Sequence, residues 1–261
     1  MLKAIISDIH ANIEAFREVL AHIDSQGIGP IVCLGDVVGY GPDPTECMAL
    51  AQKLMDQGRL EVILMGNHEE AVLFGAFGFH PAAKEAIDWT RAQLKPKWFH
   101  LGGKKARWEV LRSMPLTYND NGTLFVHGSP RDPTMEYILR SDTEDLFGEV
   151  PEKIQQIFDL VDSVCFVGHT HDPGIITQES KFHRPTEFGM RFETEPGKKY
   201  IVNVGSVGQP RDKNPNACYV THDERAIQYH RIPYDVKKTA EKIRRIPQLD
   251  NRNADRLEQG N

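Results

Sequence analysis

In the first quarter of the chain, short continuous apolar runs alternate with stretches in which apolar residues recur at helical spacing. The runs at 2–8, 30–36 and 60–67 are rich in β-branched residues and are typical of buried strands. The stretches at 12–26 and 44–57 are amphipathic, and a glycine follows each directly, so both predict helices. This order of strand, helix, strand, helix, strand predicts a parallel sheet with right-handed connections.

The pattern changes further along the chain. Between about 70 and 122 it loosens, apart from a helical stretch at 82–94, and we expect an insertion here that caps a site. Strands then outnumber helices, with strands predicted at 123–129, 163–171, 199–206, 216–223 and 226–232, and helices at 152–160 and 236–245. We therefore expect one domain over 1–246, followed by a polar, loose C-terminal tail at 247–261.

Composition narrows the class of protein. The 261 residues are 40% hydrophobic and 26% charged, which fits a folded globular domain and excludes a disordered chain. The net charge of −6 argues against a nucleic-acid partner, because such binding depends on clustered cations. No apolar run approaches the roughly 18 residues of a membrane helix, and the N-terminus does not resemble a secretory signal. The four cysteines form no CxxC pair, so we expect reduced thiols and a cytoplasmic protein.

Five of the predicted strands run into short polar segments that share one chemistry. The candidate metal ligands in these segments are Asp8, His10, Asp36, Asn67, His127, His169 and His171. Because the carboxyl ends of parallel strands meet at one rim of a sheet, we expect these side chains to converge. Carboxylates, an amide oxygen and imidazoles together suit Mn, Fe, Co, Ni or Zn better than Ca or Mg. A carboxylate can bridge two ions, so one bridging residue would leave about four protein ligands for each ion.

The polar segments also carry a family resemblance. SDIH, LGDVVGYGP, MGNHE, VHGSP and GHTH, in this order, resemble the five signature blocks of the calcineurin-like metallophosphoesterases. The resemblance spans roughly 1–220, and five blocks in order are far more specific than any one of them. GDVVGYGPDP and NVGSVGQPRD further resemble a compact prokaryotic subgroup described as phosphodiesterase-like. The resemblance implies an α/β fold in which helices flank a two-sheet β-sandwich (αββα), with a dinuclear metal site at one edge.

The resemblance also implies a role for each polar side chain at the strand ends. The first ion would be held by Asp8, His10 and His171. The second ion would be held by Asn67, His127 and His169, with Asp36 bridging the pair. His68 would be the catalytic residue rather than a ligand, acting as a general acid or stabilising charge on the phosphoryl group. The implied reaction is in-line attack on phosphorus by a metal-bridging hydroxide, with Mn expected and Fe, Zn, Ni or Co as alternatives.

One position departs from the family pattern. Many members carry a second acid three residues after the bridging one, and that acid orients the catalytic histidine. This chain has Gly39 there. Asp43 and Glu69 are possible substitutes, although neither occupies the matching position.

Three further residues are candidates for substrate binding. Arg211 could clamp a phosphate with its fork of donors, or it could be a loop arginine paired with an acid such as Asp212. Asn12 could touch substrate, or it could cap the helix that follows it. Tyr40 follows the bridging acid closely and could also reach the substrate.

These observations favour a phosphoesterase acting on a small organic phosphate, with a phosphodiester preferred. The alternatives are a phosphomonoesterase, a nucleotide or protein phosphatase or nuclease of the same superfamily, and a metal-binding scaffold that has lost catalysis. Because His68 and all seven candidate ligands are present, the enzyme is favoured over the scaffold.

Overall fold

The structure is a computed structural model that describes residues 2–98, 102–144 and 149–261. Within these ranges the strands are β1 (Lys3–Ile6), β2 (Ile31–Cys33), β3 (Leu60–Ile63), β4 (Thr117–Asp120), β5 (Thr123–Val126), β6 (Val164–Val167), β7 (Gly174–Thr177), β8 (Phe182–His183), β9 (Arg191–Glu193), β10 (Tyr200–Asn203), β11 (Ala217–His222) and β12 (Ala226–Ile232). The helices are α1 (Ile13–Ser25), α2 (Pro44–Asp56), α3 (Asn67–Phe74), α4 (Pro81–Leu94), α5 (Gly103–Ser113), α6 (Glu152–Asp159), α7 (Val236–Arg244) and α8 (Asn251–Gln259). Short 3-10 helices lie at Arg140–Thr143 and Pro185–Phe188.

The strands form two mixed sheets of six strands each. The first sheet has the order β3-β2-β1-β11-β12-β9, in which β1, β2 and β3 are parallel and the other neighbours are antiparallel. The second has the order β4-β5-β6-β10-β7-β8, in which β5, β6 and β10 are parallel. Each sheet therefore contains one block of three parallel strands, whose carboxyl ends deliver loops to one edge.

Alternation of side chains along the strands explains the layers. In β1, Ile5 faces the space between the sheets, whereas Ala4 and Ile6 pack beneath α1 and α2. In β6, Phe166 faces the same inter-sheet core and Cys165 packs against α6. Every one of these side chains is fully buried. Helices thus cover both outer faces, and the predicted αββα sandwich is confirmed.

The sequence-based elements need one correction at the level of the sheets. The parallel arrangement of β1, β2 and β3 is confirmed, but His127 and His169 follow β5 and β6, which belong to the second sheet. The candidate ligands therefore come from two sheets rather than from the rim of one. Alternation of strand and helix fixes the parallel direction of neighbours, but it does not say which sheet a strand joins.

The segment at 70–122 is more helical than its pattern indicated. It contains the rest of α3, all of α4 and α5, and the strand β4. Buried Ile87, Leu94 and Leu111 join the core that lies beneath α1 and α2. The insertion is therefore packed onto one flank of the first sheet.

The expectation of a loose tail at 247–261 is wrong. Asp250 caps α8 by accepting a hydrogen bond from the Arg252 N–H, and Ala254 and Leu257 are buried against α7 and α4. The amphipathic pattern of this helix is weak in the sequence, because only these two apolar residues form the buried face of an otherwise charged helix. Of the helices that the structure describes, none is long and apolar enough to cross a membrane.

Candidate metal centre

The seven candidate ligands meet at the edge where both parallel blocks end. Although they span positions 8–171, each is at most 6% exposed. The titratable candidate ligands and His68 form three groups of three residues. Within each group the potential ligand atoms lie within 4.8 Å of one another. The sequence-based expectation of convergence matches this geometry.

One cluster is built from Asp8, His10 and His171. The Nε2 atom of His171 lies 3.1 Å from Oδ1 of Asp8 and 3.0 Å from Nε2 of His10. The His10 Nε2 atom is 3.6 Å from the same Asp8 oxygen. Three donor atoms from two sheets therefore face one point.

The second cluster surrounds His127. Its Nε2 atom lies 3.1 Å from Oδ1 of Asn67, 3.2 Å from Nδ1 of His169 and 3.4 Å from Oδ2 of Asp36. That Asp36 oxygen is also 3.7 Å from Nε2 of His10, which belongs to the first cluster. One carboxylate oxygen therefore lies between the two groups.

Backbone carbonyls fix how the histidines present their nitrogens. The Nδ1–H of His10 donates to Val38 O at 3.2 Å, and the Nδ1–H of His171 donates to Gln209 O at 2.5 Å. Because a carbonyl can only accept, a ring that carries a single proton holds it on Nδ1, and its Nε2 atom then carries a lone pair. Two lone pairs 3.0 Å apart repel each other unless a cation lies between them.

His169 presents the opposite nitrogen in the same way. Its Nε2–H donates to Met135 O at 3.3 Å, which leaves the Nδ1 lone pair facing His127. Such backbone partners for the outer nitrogen are typical of metal-binding histidines.

Electrostatics keep most of the donors in the form that binds metal. Burial lowers the pKa of His169 to about 3 and of His171 to about 4, so both rings are neutral at pH 7. Burial alone would raise the pKa of Asp8 and Asp36, but the surrounding histidines, His171 beside Asp8 and His127 beside Asp36, hold both pKa values well below the usual range. Both carboxylates are therefore ionised.

His127 behaves differently from its neighbours. Burial lowers its pKa, but the Asp36 carboxylate outweighs burial and raises the pKa to about 9. Without a cation this ring therefore holds a proton between ligand atoms. A bound divalent ion would compete with that proton for Nε2.

The donor set fits divalent cations. Asp8 Oδ1 is buried without a hydrogen-bond donor, and the inward-facing Nε2 lone pairs of His10 and His171 have no donor assigned to them. Buried acceptors left in this state are costly unless a cation satisfies them. Oxygen and imidazole donors are the ligands that first-row transition metals prefer.

The backbone around these ligands is strained. Positive φ angles, which non-glycine residues rarely adopt, occur at Asp8, His10, Asp36, His169 and His171. Each costs on the order of 1 kcal/mol or more and persists only where the surrounding structure enforces it. Five of the seven candidate ligands therefore lie on backbone that the surrounding structure holds in a rarely adopted conformation.

Glu69 holds two of the ligand loops together. It is fully buried, and its carboxylate accepts hydrogen bonds from the backbone N–H groups of Asp36 (2.7 Å), Val38 (3.0 Å) and Gly66 (3.1 Å). Glycine is required at 66 because a Cβ there would lie 2.1 Å from Oδ1 of Asp36. The sequence showed Glu69 only as a possible partner for His68, and its structural role was missed.

The structure explains the glycine at position 39. A Cβ at Gly39 would lie 2.0 Å from Nδ1 of His68, so the imidazole occupies the space that a side chain would need. The ring also makes edge contacts with Tyr40 and Phe79, at centroid distances of 4.3 and 5.4 Å. Packing therefore orients the His68 ring without an acid at position 39.

Neither proposed substitute acid takes over that task. Asp43 pairs with Lys242 at 2.8 Å, and Glu69 is occupied by three backbone N–H groups. The backbone N–H of His68 donates to Oδ1 of Asp36 at 2.9 Å. The Nδ1 atom of the His68 ring is buried without a partner. Burial lowers the pKa of His68 well below 6.5, so its ring is neutral in the absence of a cation or substrate.

The candidate substrate residues divide into two groups. The Arg211 guanidinium lies 5.9 Å from the centre of the Tyr40 ring, and both residues border the first cluster near His10 and His171. Asn12 instead caps α1 through Ala15 N–H and donates to Gly208 O at 2.9 Å. Of its two possible roles, the structure favours the cap.

One aromatic contact at the centre was not anticipated. Tyr137 stacks on His169 with ring centroids 3.7 Å apart, while 43% of its own surface remains exposed. The loop that carries it also supplies the Met135 carbonyl to His169. A tyrosine in an irregular loop offers no pattern from which this contact could be predicted.

Comparison with known proteins agrees with the fold. A family model described as the calcineurin-like phosphoesterase superfamily domain matches residues 1–226, and the chain belongs to this superfamily. A metallophosphoesterase of known structure from Sphaerobacter thermophilus superposes with a TM-score of 0.79 at 33% identity, covering 100% of this chain and 99% of that one.

Two further proteins are similar over their full length. A hypothetical protein from Pyrococcus horikoshii has a TM-score of 0.73 at 18% identity, covers 100% of this chain and 98% of its own, and shares the fold. An uncharacterised protein from Methanocaldococcus jannaschii is 34% identical in an alignment that covers 94% of this chain and 93% of that protein.

Proposed function

We propose that the protein is a metal-dependent phosphoric ester hydrolase with two divalent cations, acting on a small organic phosphate and preferring a phosphodiester. The observation that carries this proposal is the position of Asp36 Oδ2, which lies 3.7 Å from His10 Nε2 and 3.4 Å from His127 Nε2. A carboxylate oxygen between two clusters of inward-facing donors is suited to bridging two ions.

The ligand assignment follows the two clusters. One ion would be held by Asp8, His10 and His171, and the other by Asn67, His127 and His169, with Asp36 shared. When bound, such ions lower the pKa of coordinated water and neutralise phosphoryl charge. Mn is the proposed metal, with Fe, Zn, Ni or Co as alternatives, because the donors combine carboxylate and imidazole.

The chain itself supplies proton transfer and orientation. His68 has a ring nitrogen within 4.8 Å of donor atoms of His10 and Asp36. The negative charge of a bound phosphate ester would favour the protonated ring, which could then act as a general acid for the leaving oxygen. Gly39, Tyr40 and Phe79 hold the ring in place. Arg211 would clamp a non-bridging phosphoryl oxygen.

Two features support a small substrate in the cytoplasm. The net charge of −6 does not favour a nucleic-acid partner. All four cysteines are buried free thiols, which agrees with a reducing compartment.

Metal analysis and an ester panel test the proposal together. The purified protein should contain about two divalent ions per chain, and EDTA should abolish activity that added Mn then restores. The panel compares p-nitrophenyl phosphate, bis(p-nitrophenyl) phosphate, single-stranded DNA and a phosphopeptide. Fastest turnover of the diester supports the proposal, whereas faster monoester turnover identifies a phosphomonoesterase. Bound metal without turnover of any member would identify a scaffold, and full activity in EDTA would exclude a metal enzyme.

A further inference from the structure

A second cavity lies beside the candidate metal centre. It has a volume of about 320 Å³ and shares Tyr40 and Arg211 with the rim of the first ligand cluster. Its far wall is formed by the first turns of α4 and by α8, the helix that the sequence did not predict. The volume is at the lower end of the range for small-molecule sites, which suits one small group.

The cavity is lined by more positive than negative charge. Arg211, Arg252 and Arg256 face the single lining carboxylate, Asp250. Arg252 pairs with that carboxylate through Nη2 at 2.6 Å and Nε at 2.9 Å. Asp250 thereby balances the charge of Arg252, and the charges of Arg211 and Arg256 remain.

The other two guanidiniums have unused hydrogen-bonding capacity. Nη2 of Arg211 donates to the neutral Gln209 side chain at 2.8 Å, and its Nε atom is buried without a partner. Among the residues that the structure describes, none offers Arg256 a carboxylate within 4.0 Å. An anion in this cavity would therefore meet the fork of Arg256 and the donors of Arg211 that the hydrolysed phosphoryl group leaves free, and no described carboxylate pairs with either guanidinium within 4.0 Å.

The wall that carries Arg256 is held firmly in place. On one side, Arg244 of α7 donates to Asp255 at 2.8 Å and to Glu258 at 2.9 Å. At its end, Gly260 O accepts from Lys213 N–H at 2.7 Å, which ties α8 to the loop that carries Arg211. The backbone that carries both arginines is therefore fixed before a ligand arrives, which reduces the entropic cost of binding.

We infer that this cavity binds a second anionic group, a phosphate carried by the same substrate whose ester is hydrolysed at the metal centre. The substrate class would then be a phosphodiester with an additional phosphate, and α8 would determine that specificity through Arg256, with Arg252 neutralising Asp250. The inference rests on the proposed function for the hydrolytic step. The cavity's affinity for phosphate is independent of that step.

The first experiment measures binding alone. Calorimetric titration of the metal-free protein with inorganic pyrophosphate should show binding that Arg256→Gln weakens about tenfold, since charge-assisted hydrogen bonds are among the stronger ones. Arg256→Lys, which keeps the charge but loses the fork, should give an intermediate affinity. Arg245→Gln is the matched control, because Arg245 lies outside the cavity on an exposed helix end. Equal pyrophosphate affinity in all four proteins would overturn the inference.

The second experiment measures specificity. The substrates are thymidine 5′-p-nitrophenyl phosphate with and without a phosphate on O3′. The extra phosphate should raise kcat/KM, and Arg256→Gln should lower the ratio of the two values about tenfold while Arg245→Gln leaves it in place. Far-ultraviolet circular dichroism and the melting temperature of each variant show whether α8 is retained, and Arg252→Gln provides a second variant on the same wall.

The outcomes separate the two proposals. Suppose that both esters are hydrolysed and that neither Arg256→Gln nor Arg252→Gln changes the ratio of their kcat/KM values. This result would overturn the proposed phosphate site and leave the proposed phosphoesterase activity standing. Pyrophosphate binding that depends on Arg256, in a protein that hydrolyses neither ester, would support the cavity and contradict the proposed function.

Discussion

The two ends of the parallel strands differ in what their polar residues do. At the carboxyl ends, carboxylates and imidazoles are buried, face one another and lie on strained backbone. At the amino ends a cavity of about 640 Å³ is twice as large as the one beside the metal centre. Its Lys3 pairs with Glu61 at 2.6 Å and with Asp120 at 2.7 Å, and all three side chains retain access to solvent.

The comparison teaches that volume does not identify the functional end. At the amino end the Lys3 ammonium is satisfied by two carboxylates that solvent also reaches, so this charge does not call for a ligand. Charges and lone pairs at the carboxyl end are satisfied only in part, and burial prevents water from compensating freely. Chemistry is therefore expected where the fold leaves buried donors and acceptors unmatched.

The largest effect on turnover is expected when the same change of charge is made at each end of the strands. Asp36→Asn keeps the size of the bridging side chain but removes its charge, so we expect loss of metal and a fall in turnover of a hundredfold or more. Asp120→Asn makes the same change at the amino end and should leave metal content and turnover as they are. Elemental analysis and ester hydrolysis measure both. Retention of two ions and near-normal turnover in Asp36→Asn would show that Asp36 does not bridge.

The same contrast explains how much could be predicted from the sequence. Asp8, Asp36 and Asn67 follow apolar runs directly, and strand direction places such residues at one edge. Their convergence was therefore predictable. That His127 and His169 arrive from the opposite sheet was not, because sheet membership depends on contacts such as Leu124 with Cys165 across β5 and β6.

Other parts of the site depend on packing that no pattern encodes. Gly39 indicated a missing acid, and only the structure shows that the His68 ring fills its place. The helix α8 is buried through Ala254 and Leu257, too few apolar residues to stand out in a charged segment. Its place beside Arg211 depends on a hydrogen bond between Lys213 and Gly260, which are distant in sequence.

The next largest effect tests whether the carboxyl-end histidines all bind metal. His68→Ala should keep most of the metal and lose about a hundredfold or more in rate on alkyl phosphate esters, since a positioned general acid contributes that much. The loss on p-nitrophenyl esters should be much smaller, because p-nitrophenolate leaves without a proton. Rates on both ester types and metal content are measured together. An equal loss on both would make His68 a stabiliser of charge, and extensive metal loss would make it a ligand.

A smaller effect isolates the packing around His68. Gly39 and Gly122 both have positive φ, at 90° and 84°, but a Cβ at Gly122 would meet nothing within 4 Å. Alanine at either site should cost about 1–2 kcal/mol of unfolding free energy from backbone strain. Gly39→Ala should in addition displace the His68 ring and lower turnover about tenfold or more, because misplaced catalytic groups lose rate steeply. Denaturant unfolding and turnover distinguish the two contributions, and equal turnover in both variants would show that position 39 does not orient His68.

The smallest effect is expected at the amino-end cavity, where Lys3→Met removes both ion pairs but keeps an apolar stem of similar length. Such partly exposed pairs contribute about 0–1 kcal/mol, so the free energy of unfolding should fall by no more than about 1 kcal/mol. Burial lowers the pKa of Lys3, but the hydrogen bonds that its ammonium donates to Asp120 and Glu61 outweigh burial and raise the pKa above 10.5. A raised pKa stabilises the fold fully below the unfolded value, and that contribution disappears as the pH rises through the folded value. The difference between Lys3→Met and the parent should therefore be constant near neutral pH and shrink in strongly alkaline solution. Turnover and metal content should not change, and a tenfold loss of turnover would show that the larger cavity takes part in the chemistry after all.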